Sequence, residues 1–481
     1  MSKKLPAKKN DNKPTIKFGT DGLRAVIGDT FTFDNLKVIS QATADLLNKS
    51  KKKGKELKIA VGYDTRFLSE TFAEIVARVF AANGIKVILS DRATPTPTVS
   101  FIVKNRKLDL GIMITASHNP PEFNGFKIKS STGGSADVDV TKKVEGLLFK
   151  NKPKYKSLTE AIKEKTVVKE NIISDYIKFM RSYIDLSKIK NTKFKVLLDS
   201  MHGSGDSYMK EVIADTGIEL EIMRGERNPY FDGRGPEPVE KNLSKIIKRM
   251  KEEDFDLGLV LDGDADRIAA VAKGGEFIHP QKIIGLLALH LKEDRRFSGA
   301  LVKTVAGTTM QDHIAKHLGI KLYETPVGFK YISALMEKED ILVGGEEAGG
   351  IGFKNYIPER DGTLAGLLLL EMMVYRNKSI DKIVAQTEEA FGRYYYLRED
   401  LKLKPGKKVK DVSKIRPKEL LDSKVVKIND IDGIKFVCDD ESWLMLRPSG
   451  TEPLMRIYAE SKSLEKASKL LSLGKELVLK Q

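Results

Sequence analysis

The chain has 481 residues, with 83 Lys and Arg against 67 Asp and Glu for a formal net charge of +16, and 41% of its residues are hydrophobic. At about 100 to 200 residues per domain this length predicts three or four domains, and no apolar run reaches the roughly 18 residues that cross a bilayer, which excludes a membrane-spanning chain. The lysines are spread along the sequence without zinc-finger spacing, an RNA-recognition signature or aromatic-basic alternation, so the charge points to anionic small-molecule ligands and not to a specific nucleic-acid partner.

The opening MSKKLPAKKNDNKPTIK is charged and lacks the apolar core of a secretory signal, so 1–14 reads as a disordered basic tail. Cys438 is the only cysteine, which excludes an intramolecular disulfide and fits a reducing, cytoplasmic setting. Three groups of β-branched or aliphatic runs follow, each interrupted by one helical pattern. The first holds LKIAVGYDTR (57–66), KVILSD (86–91) and LDLGIMI (108–114), with the amphipathic TFAEIVARVFAANG between the first two. The second holds FKVLLDSMHGSG (194–205), IELEIM (218–223) and FDLGLVLDG (255–263), with DSYMKEVIADTG as its helix. The third holds GALVKTVAGT (299–308), IKLYET (320–325) and ILVGG (341–345), with TMQDHIAKHLG as its helix. Beyond about 400 a lysine-rich connector, LKLKPGKKVKDVSK, precedes short strands and a final amphipathic helix. The expected organisation is therefore α/β units at 15–187, 188–297 and 298–398 with mixed or parallel sheets, then an α+β domain at 399–481. Ligands of such sheets bind beyond the carboxyl ends of the strands, and those ends carry the unusual sequences here.

DGDADR (262–267) follows an apolar strand and sets Asp262, Asp264 and Asp266 at alternate positions of a tight turn. Three adjacent carboxylates repel unless a cation neutralises them, and hard oxygen ligands suit Mg²⁺ or Mn²⁺ with phosphate oxygen or water completing the shell. An EF-hand is excluded, because Arg267 and Lys273 stand where it requires Gly and Glu. An acidic surface turn and an aspartyl-nucleophile site are the alternatives. RPSGTEP (447–453) joins the guanidinium of Arg447 to a Ser-Gly-Thr turn able to cradle a phosphate, with Arg456 near, though an ordinary hairpin turn has the same composition. GGEEAGG (344–350) puts two carboxylates in a loop where they can accept from sugar hydroxyls, and it is neither a dinucleotide nor a P-loop motif. ITASHNPPEFNGFK (114–127) displays Ser117 beside His118 in a turn-rich loop. The hydrolase elbow G-x-S-x-G is absent, which turns the reading towards a serine that carries a phosphoryl group, with a metal to spread its charge.

ITASHNPPEFNGFK, DGDADR, GEEAG and RPSGTEP, in this order, resemble the α-D-phosphohexomutases, the phosphoglucomutase and phosphomannomutase enzymes; KFGTDGLRA (17–25) and ETPVGFKYI (324–332) add to the likeness. The resemblance implies four domains, three related α/β units and a C-terminal α+β domain, each giving one loop to a central cleft. It implies Ser117 as the phosphoserine, and Ser117 with Asp262, Asp264 and Asp266 as the Mg²⁺ site. Arg24, His118, Lys127 and Arg267 would surround the transferring phosphoryl group, with Lys127 a candidate for proton transfer. Glu346 would grip sugar hydroxyls, and Lys330, Arg447, Ser449, Gly450, Thr451 and Arg456 would bind the substrate. The implied reaction interconverts hexose 1- and 6-phosphates, glucose first and mannose second, through a hexose 1,6-bisphosphate that also serves as activator. Phosphoglucosamine mutase, phosphopentomutase and a metal-dependent sugar phosphatase are the alternatives. One departure stands out: the family's sugar loop has a serine where this chain has Ala348. The sequence sets no oligomeric state.

Overall fold

The structure, a computed structural model, describes residues 16–19, 22–206, 208–402, 412–449 and 454–479. The expected basic tail of 1–14, most of the lysine-rich connector, and Gly450 and Thr451 lie outside these residues.

Four sheets form. The first contains β1 (Leu23–Val26), β2 (Lys58–Tyr63), β3 (Lys86–Ser90), β4 (Leu110–Ile114), β5 (Phe123–Lys129) and β6 (Val167–Glu170), in the order β1-β5-β4-β2-β3-β6. The second contains β7 (Lys195–Asp199), β8 (Glu219–Met223), β9 (Leu257–Leu261), β10 (Ile268–Ala272) and β11 (Phe277–Ile278), in the order β11-β10-β9-β7-β8. The third is β12 (Ala300–Thr304), β13 (Leu322–Thr325), β14 (Ile341–Gly345) and β15 (Ile351–Phe353), in the order β13-β12-β14-β15. One pattern runs through all three. The two flanking strands β3 and β4 pair parallel to β2, β8 and β9 to β7, and β13 and β14 to β12. The last of each trio then turns back into an antiparallel partner, β5, β10 or β15.

All nine expected strands and the helix of each group are present. The returning strands were not expected, for a physical reason. In β5 the run FNGFKIK looks like loop because its two lysines are buried by ion pairs and not by alternation: Lys127 faces Asp264 and Asp266, and Lys129 faces Glu359.

A second element missing from the sequence analysis is the helix Gly362–Arg376, which is buried on nearly every side against β9, β10 and the helix Pro280–Leu289. Its apolar residues encircle it, so no amphipathic period marks it. Each fully buried leucine among Leu364, Leu367, Leu368, Leu369 and Leu370 contributes about 1.5 to 3 kcal/mol. Asp361 caps its start, accepting from the Leu364 N–H at 2.8 Å and from the hydroxyls of Tyr176 and Tyr356, each at 2.8 Å. Burial pushes the Asp361 carboxyl up to about 6. This anchored start fixes Glu359 and Arg360 just before it.

The fourth sheet is antiparallel throughout: β16 (Tyr395–Lys402), β17 (Glu419–Leu420), β18 (Ser423–Asn429), β19 (Ile434–Cys438), β20 (Trp443–Pro448) and β21 (Leu454–Ser461), in the order β16-β21-β20-β19-β18-β17. Period-two alternation divides its faces. Leu444 and Leu446 share a core with Leu470 and Val478 of the final helix Leu464–Leu479, whereas Trp443, Met445 and Tyr458 pack on Val305 and Ala306 of the third unit. The sheet opens at Tyr395, ahead of the expected start at 399. The local sign is Gly392, whose φ of 96° ends the helix Ile380–Phe391.

Candidate active site

Three of the unusual sequences are the tips of hairpins. The serine loop joins β4 to β5, the aspartate loop joins β9 to β10, the glutamate loop joins β14 to β15, and Arg447 and Arg456 face each other across β20 and β21.

Ser117 is held in left-handed backbone, φ 53°, with its N–H donating to Thr115 Oγ1 at 2.8 Å. Contrary to the expectation of a displayed serine, its side chain is fully buried. The loops of the second unit close over it: a Cβ on Gly263 would meet the Ser117 carbonyl at 2.6 Å, and one on Gly235 would meet the His118 carbonyl at 2.4 Å, so only glycine permits the approach. The Ser117 hydroxyl donates to Asp262 Oδ2 at 2.9 Å and lies 3.3 Å from His118 Nδ1. Arg24 reaches the same loop by donating to Asn119 Oδ1 at 2.9 Å.

The aspartate turn is folded by its own first residue. Asp262 Oδ1 accepts from the N–H groups of Asp266 and Arg267 at 3.0 and 3.1 Å, leaving Oδ2 for Ser117. Asp264 is fixed by the first unit, through its carbonyl to the Thr96 N–H at 2.9 Å and its carboxylate to the Thr96 hydroxyl. Lys127 Nζ spans Asp264 and Asp266 at 2.8 and 3.3 Å. All three carboxylates are buried and offer oxygens within 4.8 Å of one another. Asp264 Oδ1 and Asp266 Oδ1 are buried without a hydrogen bond, an unmet demand of the kind a divalent cation satisfies. The donor set therefore fits a hard metal ion.

The glutamate loop joins this centre directly. Arg267 and Gly350 form an antiparallel bridge, and Ile268 N–H donates to the Gly349 carbonyl at 3.0 Å. Arg360 donates to Asp266 Oδ2 at 2.6 Å and to Glu346 Oε2 at 3.2 Å, so one guanidinium ties the two loops. Glu347 accepts from Thr304 Oγ1 at 2.9 Å.

Electrostatics follow from this packing. Burial, reinforced by Asp266 and Asp264, pushes Asp262 well above the usual carboxylate range. Burial would raise Asp264 too, but Lys127, Thr96 and Arg360 hold it well below. Burial of the His118 ring, together with the charges of Arg267, Arg24, Lys127 and Arg66, keeps its imidazole neutral far into acid. Burial also raises Glu346, outweighing Arg360 and Arg267.

The structure thus brings together Ser117, His118, Lys127, Asp262, Asp264, Asp266 and Arg267, with Arg24 and Glu346 joined to them through Asn119 and Arg360. Arg447 and Arg456 stand on the fourth sheet with Ser449 just beyond β20, and Lys330 lies in the first turn of the helix Phe329–Lys338.

Comparison with known proteins decides the family. Models of phosphoglucomutase/phosphomannomutase α/β/α domains I, II and III match residues 15–155, 174–275 and 279–391, and the model of the C-terminal domain matches 400–472. A phosphoglucomutase/phosphomannomutase of Thermococcus kodakarensis is 31% identical over 96% of this chain and 98% of its own. The chain belongs to the phosphoglucomutase/phosphomannomutase family. Like other phosphohexomutases it is an isomerase that works by phosphoryl transfer. A phosphoglucosamine/phosphogalactosamine mutase of Sulfurisphaera tokodaii is 30% identical over 96% of this chain and 98% of its own. A solved structure from Thermus thermophilus, provisionally named a phosphomannomutase, superposes with a TM-score of 0.83 at 31% identity, covering 96% of this chain and 99% of that one.

Two residues that build this candidate site escaped the sequence analysis. Arg66, fully buried at the carboxyl end of β2, donates to the carbonyls of Ser117, Asn119, Pro120 and Phe123 at 2.6 to 3.0 Å while pairing with Asp64 at 3.3 Å. It is the scaffold of the serine loop, and its signal was a charged pair, Asp-Thr-Arg, closing an apolar strand. Arg360 was the other, in Pro-Glu-Arg-Asp-Gly before the buried helix.

Arg66→Ala leaves Asp64 buried without its charge partner and removes four hydrogen bonds to the serine loop, so a loss of about 3 to 5 kcal/mol in stability is expected, read as a lowered midpoint in urea; Arg66→Lys retains the charge but not the fork and falls between. A wild-type midpoint for the alanine variant would remove Arg66 from this role. For the metal site, calorimetric titration with Mg²⁺ or Mn²⁺ is expected to show one site, weakened at least about tenfold by Asp264→Asn. Because Asp262 must lose a proton it holds more tightly than usual, affinity should rise with pH. Equal binding by the variant would contradict the site.

Proposed function

We propose that this phosphohexomutase interconverts hexose 1-phosphates and hexose 6-phosphates through a phosphoserine at Ser117, with Mg²⁺ held by Asp262, Asp264 and Asp266. The observation that carries the reading is the buried Ser117 hydroxyl aimed at Asp262 inside a cluster of three carboxylates and the Lys127 ammonium. When bound, Mg²⁺ would spread the charge of the transferring phosphoryl group.

In the forward half-reaction the bond from phosphorus to Ser117 Oγ breaks as a bond to the free sugar hydroxyl forms, giving a hexose 1,6-bisphosphate. Lys127 is the candidate for moving the proton that leaves that hydroxyl, which it accepts only as the neutral amine, after the ammonium seen between Asp264 and Asp266 has given up a proton. After the bisphosphate turns end for end, its other phosphoryl group returns to Ser117, and Asp262 Oδ2, the acceptor of the serine hydroxyl, orients the nucleophile. Arg24, His118 and Arg267 would line the transferring group; the neutral His118 can donate or accept without adding charge. Arg447, Ser449, Gly450, Thr451 and Arg456, with Lys330, would hold the phosphate that does not react, and Glu346 the sugar hydroxyls. A closed, preorganised site of this charge supplies its stabilisation without reorganisation at the moment of transfer.

Glucose phosphate is the first expected substrate and mannose phosphate the second, in keeping with the name of the Thermococcus relative. A second reading, phosphoglucosamine mutase, is favoured by the names of the Sulfurisphaera and Methanosphaera stadtmanae relatives, each 30% identical. Ala348, lacking the hydroxyl usual in the family's sugar loop, supports tolerance among these sugars: one hydrogen bond is worth about 0.5 to 1.5 kcal/mol. A cytoplasmic setting belongs to the same reading, supported by the single cysteine.

The test is a coupled assay with glucose, mannose, glucosamine and ribose 1-phosphates plus the matching bisphosphate activator. Turnover of glucose 1-phosphate to its 6-phosphate is expected, lost by several orders of magnitude in Ser117→Ala. Release of inorganic phosphate instead of isomer would make the protein a phosphatase, and activity confined to the amino sugar would select the second reading.

A further inference from the structure

The turn between β18 and β19, Asn-Asp-Ile-Asp-Gly at 429–433, lies at the seam of the third and fourth units. At one end Asn429 Nδ2 donates to Glu324 Oε1 on β13. At the other, a single oxygen, Asp432 Oδ2, accepts both from Arg447 Nε at 2.7 Å and from the backbone N–H of Val327 at 2.9 Å. Val327 leads through Gly328 into the helix Phe329–Lys338, whose first turn carries Lys330. The contact depends on Gly433: its φ is 82°, and a Cβ there would meet the Leu446 carbonyl at 2.4 Å and Arg447 Cα at 2.9 Å, so only glycine lets the turn lie flat on β20 beside Arg447.

A guanidinium has two donor edges. With Nε committed to Asp432, the edge between the two terminal nitrogens is the one directed at a ligand, and that is the edge suited to a bidentate phosphate. The carboxylate also removes rotamer freedom from a long side chain before any substrate arrives, which lowers the cost of binding. Because the same oxygen holds a backbone N–H of the third unit, the orientation of Arg447 is set jointly by both units. We propose that Asp432 is a positioning residue of the phosphate site: it aims Arg447 and couples that aim to the docking of the fourth unit on the loop that leads to Lys330. This rests on the assignment of Arg447 to the non-reacting phosphate made above.

The test compares Asp432→Ala, Arg447→Ala and the double variant in the full chain, measuring KM and kcat for a hexose 1-phosphate and its 6-phosphate, with thermal midpoints alongside. Asp432→Ala is expected to raise KM about five- to tenfold for both substrates, since either one presents its phosphate to this site, while kcat stays within about twofold. In the Arg447→Ala background the second substitution should raise KM no further, because Asp432 acts through Arg447. Should the alanine variant not fold, Asp432→Asn, which keeps the shape and removes the charge, is expected to move KM in the same direction by about threefold. An unchanged or lowered KM for the Asp432 variants, with Arg447→Ala still raising it, would overturn the inference; so would full additivity in the double variant. An unchanged KM in Arg447→Ala would instead overturn the phosphate assignment of the proposed function, and this inference with it.

Discussion

Three carboxylates buried within 4.8 Å of one another repel strongly, and the organisation of the molecule around them can be traced to that repulsion. No single unit supplies the compensation. Asp262, Asp264 and Asp266 come from the second unit, Lys127 and Thr96 from the first, and Arg360 from the segment that leads out of the third sheet. A buried charge left without its partner costs several kcal/mol, so the aspartate loop is stable only when all three units are assembled around it. What remains unsatisfied, Asp264 Oδ1 and Asp266 Oδ1, faces the place where a divalent cation would complete the balance.

Repetition explains how the loops reach one another. Each α/β unit runs a parallel trio of strands and then folds back in an antiparallel hairpin, and in each the hairpin tip carries the residues of the site. The tips touch through backbone as well as side chains: Arg267 bridges to Gly350, and Gly263 lies on the Ser117 carbonyl. Glycine at these contacts serves close approach, so the serine is sealed and not displayed. Sealing is useful chemistry, because a phosphoryl group in a wet site would be open to water.

Much of this was legible in the sequence because it was written in short local signals. The nine strands of the three groups are short apolar runs, several of them ended by Gly or Asp, and the serine, aspartate and glutamate motifs fell at carboxyl ends as the sheet rule requires. The parts that were not legible depend on distant partners. Lys127 and Lys129 make β5 look like loop until Asp264, Asp266 and Glu359 are seen to bury them. Arg66 reads as a surface charge until four carbonyls of the serine loop converge on it, and Arg360 until it is found between Asp266 and Glu346. The helix Gly362–Arg376 hides for the opposite reason: it is apolar all round and so carries no period.

The central claim is that this shared charge centre exists to load and unload a phosphoryl group on Ser117. It is tested most directly by incubating the protein with hexose 1,6-bisphosphate carrying labelled phosphate, quenching within one turnover, and mapping the label by peptide mass analysis. The account predicts acid-stable label on the peptide that contains Ser117, discharged to hexose monophosphate on a chase and absent from Ser117→Ala. Label on any other residue, or turnover with none on the protein, would contradict it.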